Sequence, residues 1–286
     1  MYLSRPPKPA LRPFVSLIWT STSRTPVSRA GRELVLPTGS MHIAIRLDGP
    51  PLRLFEGQDD AQGRTVGASV IGGVRERAYC KEAAQAGRIV GAMIRPGSIE
   101  LLSRTPAGAL AGRHTRLEDL WSHRDLEEVR NRLQDEPTAA CRLMVLEQFL
   151  EGRLPDLHGI DPLIAHALLH FDRGVPVGDV VADTGFSHRH LARTFADAVG
   201  LTPKAYSRLR RFNRALERLH TRPNEALAEI AAVEGYSDQA HMTRDFRAIA
   251  GVPPGHYRRL EPDFARHVPV DARAGTSGQI PSRREG

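Results

Sequence analysis

The pattern of apolar and polar positions changes character near residue 116. Before it, apolar positions gather in short β-branched runs: FVSLIWTS (14–21), ELVLP (33–37), MHIAIRL (41–47), RTVGASVIGG (64–73) and RIVGAMIRPG (88–97). Gly, Pro and Asp punctuate them, the pattern of strands separated by turns, and LPTGS (36–40) reads as a hairpin turn between two strands. Regular short strands of this kind predict a small barrel or sandwich. After residue 116 the period becomes helical: Leu117, Leu120 and Trp121, then Leu126, Val129 and Leu133, then an amphipathic helix over CRLMVLEQFLEGRL (141–154) with Pro137 close before it. GRLPDLHGI (152–160) reads as a linker, and the stretch after Leu260, ending GTSGQIPSRREG, reads as a disordered tail. The expected organisation is α+β: a β-rich domain over 1–155 with trailing helices, an all-helical module over 156–262, and a tail over 263–286.

Residues 175–260 hold an internal duplication. Gly185-Phe186-Ser187 repeats as Gly235-Tyr236-Ser237 at an offset of 50, and Val180 and Ala182 repeat as Ile230 and Ala232. Later pairs are offset by 51: Arg193 with Arg244, Phe195 with Phe246, Gly200 with Gly251, Pro203 with Pro254, Tyr206 with Tyr257. One residue is therefore inserted just after the second serine. Each unit reads as a short helix (177–183, 227–233), a glycine suited to a left-handed stop, an aromatic to plug the angle between helices, and a serine (Ser187, Ser237) to cap a second helix. On that helix Leu191 and Phe195, or Met242 and Phe246, sit four apart and should bury. Pro203 and Pro254 open the helices that follow. Two plain helical hairpins would also show Gly-aromatic-Ser. The matched Gly, Pro and Arg positions favour two helix-turn-helix units instead.

GFSHRHLARTFADAVGLTPKAY and GYSDQAHMTRDFRAIAGVPPGHYRRL resemble the DNA-binding module of the AraC/XylS family of bacterial regulators, over about residues 160–261. That resemblance implies seven helices in two subdomains joined by a long helix at about 203–221. The N-terminal half more weakly resembles the sensor-type β domains that precede such modules, and no effector residue is assigned from it. On the first recognition helix the exposed candidates for DNA are His188, Arg189, His190, Ala192 and Arg193; on the second they are Asp238, Gln239, His241, Thr243 and Arg244. Arg offers a bidentate fork to guanine and Gln pairs with adenine, whereas the simpler role for Asp238 is at the helix N-terminus. Arg208, Arg210, Arg211 and Arg214 would serve phosphates or pack on acidic neighbours. The resemblance implies double-stranded DNA as partner and leaves room for RNA polymerase, a small-molecule effector at the N-terminal domain and a second copy of the chain.

Charge refines this picture only locally. The net charge is +7, yet residues 1–155 hold 22 Lys and Arg against 17 Asp and Glu, and residues 156–260 hold 14 against 12. Between Ser187 and Arg222, nine basic residues face only Asp197 and Glu217, and most fall on two of the expected helices. No apolar run approaches the roughly 20 residues of a membrane span. The first residues lack an apolar signal region, so a cytoplasmic protein is expected. Cys80 and Cys141 match no zinc or redox spacing and read as buried small hydrophobes. Trp19, Phe14, Phe55, Tyr79 and Met93 would suit either a pocket or a core.

A cupin-like metal enzyme is disfavoured, because its site wants clustered histidines and a carboxylate on adjacent strands, and residues 1–115 offer only His42 and His114. A DNA-repair alkyl acceptor is disfavoured because it needs a Cys-rich site. His188 and His190 point about 200° apart on a helix and cannot share a metal. Asp161, His166, His170 and Asp172 are a helical scatter near the linker; His166 and His170 have i, i+4 ligand spacing, but no carboxylate or Cys clusters with them, so they read as a plain helix face and neither metal nor cofactor is expected.

Overall fold

The computed structural model describes residues 1–23, 31–56, 60–83, 87–156, 159–262 and 264–270. The strands are β1 (Tyr2–Arg5), β2 (Val15–Ser23), β3 (Arg32–Val35), β4 (Met41–Arg46), β5 (Leu52–Phe55), β6 (Arg64–Gly67), β7 (Ser69–Gly72), β8 (Tyr79–Glu82), β9 (Gly87–Ile94), β10 (His114–Arg116) and β11 (His267–Val270). They form two antiparallel sheets, ordered β1-β2-β9-β4-β7-β10 and β11-β3-β8-β5-β6, so the domain is a two-sheet sandwich and not a closed barrel. Alternation assigns the faces: Met41, Ile43 and Ile45 of β4 are buried, while His42, Ala44 and Arg46 lie half-buried on the other face. Helices α1 (Ile99–Ser103), α2 (Ala107–Leu110), α3 (His123–Asp135) and α4 (Ala139–Glu151) follow, with Ser122 and Thr138 capping the last two.

The sandwich departs from expectation at three points. LPTGS is no hairpin turn, because β3 and β4 lie in different sheets; it is the corner between them, closed by Thr38 Oγ1 accepting the Ser40 N–H at 3.0 Å. RTVGASVIGG is not one strand but two, β6 and β7, which part at Ala68 to join different sheets. Part of the expected tail is ordered: His267–Val270 returns to the N-terminal domain and pairs with β3, Val268 opposite Leu34. The remainder, 271–286, lies outside the described residues, as do residues 157 and 158 of the expected linker. Cys80 is buried as expected, but Cys141 is only half-buried.

The helical part has the seven helices expected: α5 (Pro162–Asp172), α6 (Val177–Thr184), α7 (His188–Val199), α8 (Pro203–Thr221), α9 (Leu227–Val233), α10 (Gln239–Ala250) and α11 (Pro254–Leu260). Pro162, Pro203 and Pro254 each stand at a first helical position, where the missing N–H costs nothing. Leu191, Phe195, Met242 and Phe246 are fully buried.

The two halves share one hydrophobic core, which holds Met41, Val74 and Ala107 together with Val199, Tyr206 and Leu209. The contacts reach both helix-turn-helix units and the helix between them. A Cβ on Gly200, just past α7, would lie 2.8 Å from Val74 Cγ1 and 3.1 Å from the Ala107 carbonyl oxygen. Asn213 of α8 donates to the Thr38 carbonyl at 3.3 Å, and Arg266 donates to the Asn213 carboxamide oxygen.

Candidate nucleic-acid interface

In the first unit, Gly185 ends α6 at φ +70°, a conformation that costs an L side chain about 1–2 kcal/mol. Ser187 then caps α7, its Oγ accepting the His190 N–H at 3.2 Å. Burial of Leu191, Phe195 and Val199 turns the other side of α7 outward. There His188, Arg189 and Arg193 are exposed, and His190 and Ala192 are half-buried at the flank. Phe186 does not plug the helix angle as expected. It is 48% exposed and stacks on His190 with ring centroids 4.8 Å apart.

The second unit differs in a way that the inserted residue explains. Gly235 stands at φ +75° and Tyr236 is buried as expected, beneath the Arg211 guanidinium at 4.6 Å. The cap of α10 is Asp238, not Ser237: its Oδ1 accepts the His241 N–H at 2.6 Å. The insertion shifts the register from 50 to 51, so the residue equivalent to Ser187 is Asp238. That same N–H holds the Asp238 carboxyl below the usual carboxylate range. Ser237 Oγ lies instead 3.0 Å from His241 Nδ1, and the His241 ring meets Tyr236 edge-on at 5.3 Å, which ties His241 to the turn. Gln239 and Arg244 are exposed and Thr243 is half-buried. Among the described residues, Arg189, Arg193 and Gln239 have no hydrogen bond or ion pair within the chain, so their polar ends are available to a ligand.

The arginines of α8 have partners within the chain. Arg208 donates to the buried Asp245 of α10, Arg210 lies 2.7 Å from Asp172, and Arg214 lies 3.0 Å from Glu234. Arg211 covers Tyr236 and donates to the Gly235 carbonyl at 3.4 Å. Within the chain these four side chains pack on acidic or aromatic neighbours. Arg208 and Arg211 thus brace the second unit against α8.

Inside the sandwich, His42 and His114 meet with ring centroids 5.7 Å apart, and His114 meets Tyr79 of the facing sheet at 4.9 Å. Burial drives the His42 imidazole down to about 4, with the charges of Lys81, His267 and Arg75 adding to it; burial, then His42 and Arg75, take His114 to about 2. Among the described residues no Cys, Asp or Glu joins this pair as a metal-ligand group. Of the aromatic residues that suited pocket or core, Phe14 and Phe55 are buried in the core and Trp19 lies over Gly91.

His166 and His170 are more than the plain helix face expected of them. A carboxylate does join them: Asp183 of α6 places Oδ2 2.9 Å from His166 Nε2, and one ligand atom from each of the three residues lies within 4.8 Å of the others. No spacing along the chain signals Asp183, because it arrives on the next helix.

The fold and this surface define a double helix-turn-helix protein with a β-sandwich domain in front. Comparison with known proteins agrees. Residues 180–260 match the family model described as "Helix-turn-helix domain", and residues 4–116 match "Domain of unknown function (DUF6597)". A Streptomyces lividans protein described as an AraC-like transcription regulator is 35% identical over 103 residues, covering 35% of this chain and 34% of that protein. The "probable transcription factor PqrA" of Proteus vulgaris is 31% identical over 90 residues, 32% of this chain and 73% of that protein. A crystal structure of ToxT from Vibrio cholerae superposes over 92% of this chain and 99% of its own, with a TM-score of 0.45 and 11% identity. The chain belongs to the AraC/XylS family of transcription regulators. It spans about a third of the length of the Streptomyces relative.

Among the described residues, no helix is long and apolar enough to cross a membrane.

Proposed function

We propose that this protein is a sequence-specific DNA-binding transcription regulator that reads two successive major grooves with α7 and α10, and that works by binding rather than by catalysis. One observation carries the reading. Two capped helices present outward polar residues, Arg189 and Arg193 on one and Gln239 and Arg244 on the other, with Arg193 and Arg244 at equivalent positions, and a single 19-residue helix joins their units. A helix of that length spans about 28 Å, which suits recognition elements set one turn of DNA, about 34 Å, apart. The major groove admits an α-helix, and Arg and Gln are the side chains that pair bidentately with guanine and adenine there.

The N-terminal sandwich is the regulatory part in this reading, as the place for a small-molecule effector or for contact with a second copy of the chain. Its support is the shared core: Val74, Ala107 and Thr38 touch the elements that set the positions of both recognition helices. RNA polymerase is a further candidate partner for the outward surface of a bound module. Selection of sequences from a random DNA pool with the full chain tests the proposal. Two short enriched boxes are expected, and a pool that stays random after selection contradicts it.

A further inference from the structure

We infer that His166, His170 and Asp183 form a binding site for a borderline divalent transition metal, Zn²⁺ being the representative, which staples α5 to α6 beneath the first recognition helix. His166 and His170 project from one face of α5, with ring centroids 4.3 Å apart. Asp183 comes from the last turn of α6, four residues before the cap of α7 at Ser187.

The donor set fits such an ion. Two imidazoles and a carboxylate are the ligands that Zn²⁺ takes at about 2.0–2.2 Å, and three protein ligands leave the fourth tetrahedral position to water. Ligand atoms in such a site lie roughly 3.3 Å apart. The 4.8 Å limit on the present separations is therefore closed by small side-chain rotations. The His166–Asp183 approach points the same way. Nε2 and Oδ2 stand 2.9 Å apart, yet Nε2 is buried and has no hydrogen-bond partner, so the two atoms converge without the alignment that an N–H···O bond requires. An ion between them would satisfy both atoms. All three side chains retain some exposure, which gives an ion a path in.

This site is independent of the DNA-reading proposal. A bound ion would link the first helix of the module to the first helix of its helix-turn-helix, and the binding free energy would add to the stability of that unit.

The test uses the untagged full chain, stripped with chelator, and titrates Zn²⁺ by calorimetry. One site per chain is expected, together with a rise in unfolding temperature on adding Zn²⁺. Replacing a ligand should cost at least as much as the tenfold or more that changes behind the ligands cost. His170→Gln and Asp183→Asn should each weaken affinity by that much or more and abolish the temperature rise, with helical content unchanged. His123→Gln removes a histidine of an exposed i, i+4 pair with Glu127 and should change neither reading. Co²⁺ should give the visible bands of a tetrahedral N/O site without thiolate charge transfer, which separates this site from Cys80 and Cys141. Absence of Zn²⁺ binding, or binding that both ligand variants leave intact, overturns the inference.

Discussion

Ala78 donates its backbone N–H to the carbonyl of Ile249 at 2.7 Å, joining the loop before β8 of the N-terminal sandwich to the last turn of α10. On the other unit, Gly108 of α2 comes so close to α7 that a Cβ there would lie 3.2 Å from the Ala196 carbonyl oxygen. The N-terminal domain therefore grips both recognition helices at their C-terminal ends and leaves their N-terminal halves outward. A change of shape in the sandwich would reach the relative placement of the two helices directly.

The two helix-ending glycines make this grip measurable. Gly200 and Gly251 hold φ of +83° and +78°, so alanine costs either position about 1–2 kcal/mol of left-handed strain. A Cβ on Gly251 would meet no atom within 4 Å, whereas one on Gly200 would run into Val74 and Ala107. Gly200→Ala should lose about 1–3 kcal/mol beyond the loss in Gly251→Ala, as overpacking does. Urea unfolding of the two variants gives the difference; equal losses would mean that the domains do not close on Gly200.

The shifted cap gives a second test. Asp238→Ala should destabilise by about 1 kcal/mol, the usual worth of a capping side chain, and Asp238→Ser should restore most of it. Ser237→Ala should change stability little, since its backbone neighbours do not depend on its hydroxyl as a cap. Thermal unfolding separates the three. A larger loss in the Ser237 variant would return the cap to the serine.

Much of the helical module was legible because its signals are local. Gly185, Gly200 and Gly251 mark left-handed stops, Ser187 marks a cap, and apolar residues four apart mark the buried face. The insertion was equally visible, but its consequence for capping appears only once the turn has a geometry. What lay beyond the sequence depends on distant partners. RTVGASVIGG reads as one apolar run whichever sheet each half joins, and HVPV becomes a strand only because β3 offers an edge. Asp183 meets His166 through the packing of α5 on α6, which no spacing encodes. The α8 arginines were ambiguous for the same reason, because Asp172, Glu234 and Asp245 come from three other segments.

The buried histidines predict an acid-sensitive N-terminal domain. His42 and His114 are held at about 4 and about 2, below the ordinary 6.5, so between pH 6.5 and 4 the unfolded chain binds more protons than the folded one. Stability from this pair is complete above pH 6.5 and is lost as pH falls, by about 1.4 kcal/mol per pH unit for each proton taken up. Glu33, near 2 because the His267 hydrogen bond and the Lys81 charge outweigh its burial, acts in the same direction but only below pH 4.5. Denaturation midpoints from pH 7 to 5 should fall in the native chain and flatten in a His42→Gln/His114→Gln variant. A slope unchanged in that variant would assign the acid sensitivity to other groups.

Arg189→Ala and Arg193→Ala should each lower affinity for the selected DNA by about 1–3 kcal/mol if the side chain makes a bidentate base contact. Both are exposed, so unfolding curves should match the parent chain. Titration of each variant against the selected site and against a site altered in one box measures the effect. Unchanged discrimination in both variants would remove these residues from base reading.

If α7 and α10 read one DNA at once, the spacing of the two boxes must match the turn of the duplex. Arg193 should set preference in one box and Gln239 or Arg244 in the other, with centres about 10–10.5 base pairs apart, because a helix meets the same face of the duplex once per turn. Insertion of five base pairs between the boxes carries one groove to the far side, where α8 cannot take its unit. Binding should then fall to that of one unit plus phosphate attraction. Undiminished affinity after the insertion would contradict reading by both helices and leave a single helix-turn-helix as the reader.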